Sequence, residues 1–195
     1  LHKEYRRQRQ MCIRDSNGGA GADTLTGGAG DDEFDFFTEG TSTEASMDKI
    51  TDYQAAAATA DNDTIDIITG AAGANSTAID VKSAIAGGGG SETVTASVTN
   101  GVATLSGSDA GLINTLSEWI DAVSVDGVIK KAAGDADAVG AVAFQLNGNT
   151  YLVESNDTSD NNAANVSIVN VIELTGLTGV TAVADAAAAN TVLIA

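Results

Sequence analysis

Residues 18–35 read Gly-Gly-Ala-Gly-Ala-Asp-Thr-Leu-Thr and then Gly-Gly-Ala-Gly-Asp-Asp-Glu-Phe-Asp, one nine-residue pattern written twice in succession. Each unit divides its labour. The glycines let the backbone turn tightly and aim carbonyl oxygens inward, an Asp adds a charged oxygen, and an apolar residue two places later fills a core. The turn glycines are Gly19 and Gly21, then Gly28 and Gly30; the acid is Asp23, then Asp32; the core residue is Leu25, then Phe34. Hard oxygen donors held on tight turns suit calcium. The competing reading, a flexible acidic loop, accounts for a single copy, because Gly- and Asp-rich turns are common in any loop. Two matched copies favour the metal.

These residues resemble the RTX nonapeptide, the hemolysin-type calcium-binding repeat of secreted bacterial proteins. The resemblance implies a parallel β-roll, with calcium between stacked turns on each edge. In such rolls an ion lies between one turn and the turn two repeats on, so Asp23 and Asp32 fall on opposite edges and do not share an ion. Each then needs a partner from upstream repeats or from the segment that follows, where Asp48 is the first candidate and Asp52 the second.

That following segment carries Met47-Asp48-Lys49-Ile50-Thr51-Asp52-Tyr53 and, after an Ala-rich linker, Asp61-Asn62-Asp63-Thr64-Ile65-Asp66-Ile67-Ile68. The order Asp-x-Ile-x-Asp-aromatic, then Asp-x-Ile-Asp-Ile, is similar to the capping segment behind the repeats of serralysin-like proteases and other type I export substrates. Ile65 and Ile67 share one face at period two, as in a strand. Residues 38–70 are therefore expected to cap the roll and protect its last strand edge.

Charge sets the other boundaries. The chain has 9 Lys and Arg against 27 Asp and Glu, a formal net charge of −18. Lys3, Arg6, Arg7, Arg9 and Arg14, with the lone His2 and lone Cys12, all fall before residue 17. Met11 to Ser16 is also similar to a translated sequencing adaptor, so residues 1–16 are expected to be a non-native segment outside the fold. Beyond it Lys49, Lys82, Lys130 and Lys131 are the only bases, and no Arg, His or Cys occurs. That removes a Ser-His-Asp triad, a Cys nucleophile and a His or Cys zinc site. It also disfavours nucleic acid, whose phosphates need cationic side chains. A two-carboxylate glycosidase keeps its acids, though the aromatics needed to stack a sugar are scarce. No apolar run approaches the roughly 18 residues of a membrane span, so no stable membrane insertion is expected.

Residues 71–195 read as a mixed domain of hairpins and helix. Ala78–Ala86 is a modest helical candidate ending at the Gly87–Gly90 run. A hairpin over Thr93–Ser106 turns at Asn100-Gly101, which sets Val98 opposite Ala103, Ala96 opposite Leu105 and Ser97 opposite Thr104. Asp109 can cap a helix running to about Val123, with Leu112, Leu116, Trp119, Ile120 and Val123 on one stripe and Trp119 in a core. Lys130-Lys131 reads as a solvated turn. A second hairpin joins Ala141–Leu146 to Thr150–Ser155 around Asn147-Gly148-Asn149, with Val142, Phe144, Leu146, Tyr151 and Val153 on one face. Residues 156–162 read as a polar loop in preference to a weak calcium site, since they lack the Gly and terminal Glu of an EF-hand loop; Val166–Leu174 reads as an apolar strand, and Asn190–Ala195 as an apolar tail. Tyr151–Val153, Val171–Gly176 and that tail resemble the C-terminal targeting region of type I secretion substrates.

The expected molecule is mostly β with minor α: a non-native segment at 1–16, the end of a parallel calcium β-roll at 17–37, a cap at 38–70, and a mixed hairpin and helix domain at 71–195. The resemblance implies a calcium-binding and export module of a protein that is extracellular or on the cell surface, with calcium ions and, transiently, a type I channel as partners. Any catalytic module is expected upstream. The rival readings are a surface-layer or adhesin component, or the non-catalytic tail of a secreted hydrolase.

Overall fold

The computed structural model describes residues 15–36, 42–55, 62–67, 75–79, 94–108, 110–124, 138–157, 168–185 and 191–195. Period-two alternation shapes the first part. Phe34 and Phe36 are buried while Glu33 and Asp35 are partly exposed, and Ile65 and Ile67 repeat that order against Thr64 and Asp66. Five short strands follow one another here: β1 (Asp15–Ser16), β2 (Thr24–Leu25), β3 (Glu33–Asp35), β4 (Asp48–Ile50) and β5 (Thr64–Asp66). Along the chain they alternate between two sheets. In the first, β1 and β5 flank β3, all parallel, with Ser16, Phe34 and Ile65 in one row. In the second, β2 lies parallel to β4 with Leu25 beside Ile50.

Glycine makes the reversals possible. Gly19 and Gly21 have φ of 80° and 124°, and Gly28 and Gly30 have 99° and 107°, so both turns use the same left-handed pair. A Cβ is strained there.

Both parallel stacks continue into the second half of the chain. β11 (Ile168–Leu174) runs parallel to β4, with Ile172 beside Asp48 and Leu174 beside Ile50. β13 (Thr191–Ile194) runs antiparallel to β5. The second sheet then extends through β10 (Asn149–Asp157), β9 (Ala138–Leu146), β8 (Val102–Ser106), β7 (Val94–Thr99) and β6 (Asn75–Ile79), and the first ends on β12 (Val183–Asp185). Strands β4 and β5 thus end the run that alternates between the two sheets, whereas residues 168–174 and 191–194 cover their edges. An uncovered parallel edge would leave its backbone groups unpaired, and these apolar strands pair with it instead.

The chain is mostly β, in two mixed sheets, with one α-helix among the described residues. Phe34, Ile65, Ile67 and Ile194 meet Ile50, Leu152, Ile172 and Leu174 in one buried cluster contributed by both sheets. A second cluster joins Val142, Phe144, Tyr151, Val153 and Val171 to helix α1 (Leu116–Val123) through Ile120 and Val123. Trp119 belongs to this core, stacked on Phe144 with ring centroids 4.8 Å apart.

Both hairpins form. Val98 pairs with Ala103, Ala96 with Leu105 and Ser97 with Thr104, in the register expected. In the second, Leu146 pairs with Asn149, so Asn147 and Gly148 alone make the turn, at φ of 53° and 84°. Left-handed φ at both central residues is what a two-residue turn between twisted strands requires.

Two expected helices change. Ala78 and Ile79 belong to strand β6, paired with β7, because an edge strand's ladder bonds outweigh a weak local propensity. Helix α1 starts at Leu116 rather than near Asp109, which lies outside the described residues. Thr115 Oγ1 accepts the Glu118 N–H at 3.3 Å and Glu118 Oε2 accepts the Thr115 N–H at 3.0 Å, a reciprocal cap that fixes the start. Leu112, on a separate 3-10 turn at Ala110–Leu112, is 46% exposed and leaves the apolar stripe. Residues 1–14, 80–90, 130–131 and 158–162 lie outside the described residues. Of the segment expected to be non-native, Asp15 and Ser16 pair with β3 through backbone bonds that any sequence can make.

Candidate metal centre

The sheet-to-sheet alternation decides which acids can meet. The turn at 18–23 carries the chain from the first sheet to the second, and so does the connection into β4. The turn at 27–32 carries it back, as does the connection into β5. Asp23 and Asp48 therefore share one edge, and Asp32 and Asp63 share the other. All four stand two residues before an inward apolar side chain: Leu25, Phe34, Ile50 and Ile65.

Backbone hydrogen bonds lock each pair. The Asp23 N–H donates to Asp48 Oδ1 at 2.8 Å, and the Asp32 N–H donates to Asp63 Oδ1 at 3.1 Å. Asp48 is held in turn by its own N–H, which donates to Ser42 Oγ at 2.8 Å. Asp63 Oδ2 accepts the Gln54 N–H at 2.8 Å. Asp32 folds back over the first glycine of its turn: a Cβ at Gly27 would lie 2.7 Å from Asp32 Oδ2. A Cβ at Gly18 would likewise lie 2.9 Å from Asp23 Cβ.

Of the two candidate partners, the structure brings Asp48 to Asp23 and sends Asp52 to the other edge. There Asp52 accepts the Gly27 and Gly28 N–H groups at 3.0 and 2.8 Å, one on each carboxylate oxygen, and braces the second turn. Asp63 is the acid that the sequence reading passes over as a site residue. Its signal was the fourth copy of Asp-x-apolar, Asp63-Thr64-Ile65, in the same register as Asp32-Glu33-Phe34.

The electrostatics are unfavourable as they stand. Asp48 is fully buried and Asp32 is 2% exposed. Asp23 Oδ2, Asp48 Oδ2 and both carboxylate oxygens of Asp32 are buried without a hydrogen-bond donor, an expensive state for an anion. Burial pushes the Asp48 carboxyl above the ordinary carboxylate range; the N–H of Asp23 opposes the shift and the charge of Asp23 adds to it. Burial raises Asp63 too, opposed by the Gln54 and Asp32 N–H groups and reinforced by the charges of Asp32 and Asp52. Burial also raises Asp66, with the charge of Asp35 adding to it. An acid whose folded pKa lies above its unfolded one contributes most below the unfolded value, and that stability is lost as pH rises through the folded value. These three groups therefore favour the fold at low pH and oppose it as pH rises.

A bound cation reverses that sign. Among the described residues no three His, Cys, Asp or Glu side chains gather closely enough to hold an ion alone. Each edge supplies two carboxylates, and an ion there would complete its shell with turn carbonyls and water. Such an all-oxygen set suits calcium, which takes 6–8 oxygens in flexible geometry, better than it suits a soft metal.

No protein-family model matches the chain, and comparison with curated proteins returns no match. Among the described residues no helix is long and apolar enough to cross a membrane.

Proposed function

We propose that residues 17–67 are the closing turns of a calcium β-roll, and that calcium completes their fold. One observation carries the reading: buried carboxylate oxygens lacking any hydrogen-bond donor sit beside a second acid on each edge, on turns of matching left-handed glycine backbone. Calcium at Asp23–Asp48 and Asp32–Asp63 would neutralise charges that burial penalises. The binding free energy would then become folding free energy.

The wider role follows from the resemblance and from the acidity. Sites with affinities of about 10⁻⁴ to 10⁻³ M stay empty in a cytosol at submicromolar calcium and fill outside the cell. A chain kept open by its own acids suits passage through a type I channel, with residues 141–195 as the export signal. On this reading the protein is extracellular or on the cell surface, and its module binds and folds rather than catalyses.

Thermal unfolding across pH tests the calcium reading. After chelation, the midpoint should fall as pH rises above the ordinary carboxylate range, the direction set by Asp48, Asp63 and Asp66. Millimolar calcium should restore it at the upper pH. Magnesium should restore little, since it demands tight octahedral geometry and keeps its waters. Equal rescue by magnesium, or a calcium-free midpoint that rises with pH, would reduce the pairs to screened surface charge.

A further inference from the structure

Strand β13 runs antiparallel to β5, with Thr191 opposite Asp66 and Val192 opposite Ile65. Continued by two residues, that register sets Ile194 opposite Asp63. A phenol occupies the gap there. The Ile194 N–H donates to Tyr53 Oη at 3.1 Å, and the Tyr53 O–H donates to the Asp63 carbonyl oxygen at 2.8 Å. Tyr53 thus spans β5 and β13 where the sheet ladder would otherwise continue.

Asp63 is also the acid of the second edge, its carboxylate taking the N–H groups of Asp32 and Gln54. A single residue therefore touches both the candidate cation edge and the relay to the last strand. The ring of Tyr53 is 8% exposed and lies against Phe34, with centroids 6.3 Å apart, so its position is fixed by the repeat's own core residue. Burial holds the phenol above the ordinary tyrosine range, which keeps it an O–H donor at any physiological pH.

We propose that Tyr53 is a positioning residue that couples cation binding at Asp32–Asp63 to the docking of β13, an inference that rests on the calcium reading above. A cation between the two carboxylates fixes Asp63, a fixed Asp63 carbonyl holds the phenol, and the phenol holds the Ile194 amide. Phenylalanine fills the same volume but can neither donate nor accept. Linkage makes the effect reciprocal: a docked β13 tightens the cation edge by the factor by which the cation tightens β13.

Amide hydrogen exchange on the full chain, wild type and Y53F, with and without saturating calcium, tests this. In wild type, calcium should slow exchange of both the Ile65 and Ile194 amides by about tenfold or more. In Y53F it should slow Ile65 as before and leave Ile194 within about threefold of its calcium-free rate. Equal calcium protection of Ile194 in both proteins overturns the relay and leaves the calcium reading standing. A wild type whose Ile65 amide ignores calcium overturns the reading itself, and the relay with it. Should Y53F fail to fold, V192A loosens β13 without touching the phenol. It should weaken calcium binding by roughly fivefold or more through linkage, and unchanged affinity would overturn the relay.

Discussion

Asp32→Asn and Asp63→Asn should each lower calcium affinity by roughly tenfold or more, while Asp121→Asn should leave it within about twofold. All three remove one negative charge and keep the shape of the side chain. They differ in where that charge sits. Asp32 is buried with both carboxylate oxygens free of hydrogen-bond donors, and Asp63 faces it across a 3.1 Å backbone bond. Asp121 is exposed on α1, away from both edges. A chain of net charge −18 will bind some divalent cation by attraction alone, and that diffuse component falls equally for all three variants. Only an ion seated between two particular carboxylates separates them. Titration calorimetry on the three proteins measures the difference, and equal losses would contradict a built site.

Phe34→Ala should cost about 3–5 kcal/mol, roughly a fifth or more of the stability of an ordinary domain. Phe34 has no exposed surface and fills the apolar position of the second repeat, in register with Ile65 on the neighbouring parallel strand. Its truncation leaves a void between two sheets, beside the Tyr53 ring. Backbone bonds pin both sheets there, so the void cannot close cheaply. If calcium binding is coupled to folding as proposed, the variant should also need more calcium to fold. Leu112→Ala, at a residue that is 46% exposed, should change stability by less than about 0.5 kcal/mol. Urea unfolding in saturating calcium distinguishes the two, and similar costs would mean that the repeat does not build the core.

These two expectations draw on the part of the molecule most legible in its sequence. Glycines at four fixed offsets foretell four left-handed backbone positions, because few other residues tolerate that φ, and Gly19, Gly21, Gly28 and Gly30 all adopt it. The Asn100-Gly101 turn fixes the register of its hairpin for the same reason. Asp48 carries the Asp-x-apolar spacing of the repeats and stood as a candidate partner for either repeat acid; that it joins Asp23 was not legible. Asp63 carries the same spacing, and a reading centred on the first half of the cap passed over it. The start of α1 stood in the sequence as Thr115-x-x-Glu118, but Asp109 offered a rival cap six residues earlier.

What covers the parallel edges was not legible. Ile168–Leu174 and Thr191–Ile194 read as apolar strands, and nothing local states that one joins β4 and the other β5, over 100 residues away in sequence. Such pairings are chosen by which edge remains open when the chain collapses. The salt bridge from Lys49 to Glu173, at 3.0 Å, secures one of them only after the register is set. With Lys49 half exposed it contributes little by itself.

The position of bound calcium tests the central claim most directly. In crystals grown with calcium, an anomalous difference map should show one peak between Asp23 and Asp48 and another between Asp32 and Asp63, each about 2.3–2.6 Å from its carboxylate oxygens. Calcium found only elsewhere on the acidic surface, or at neither edge in crystals saturated with it, would contradict the account.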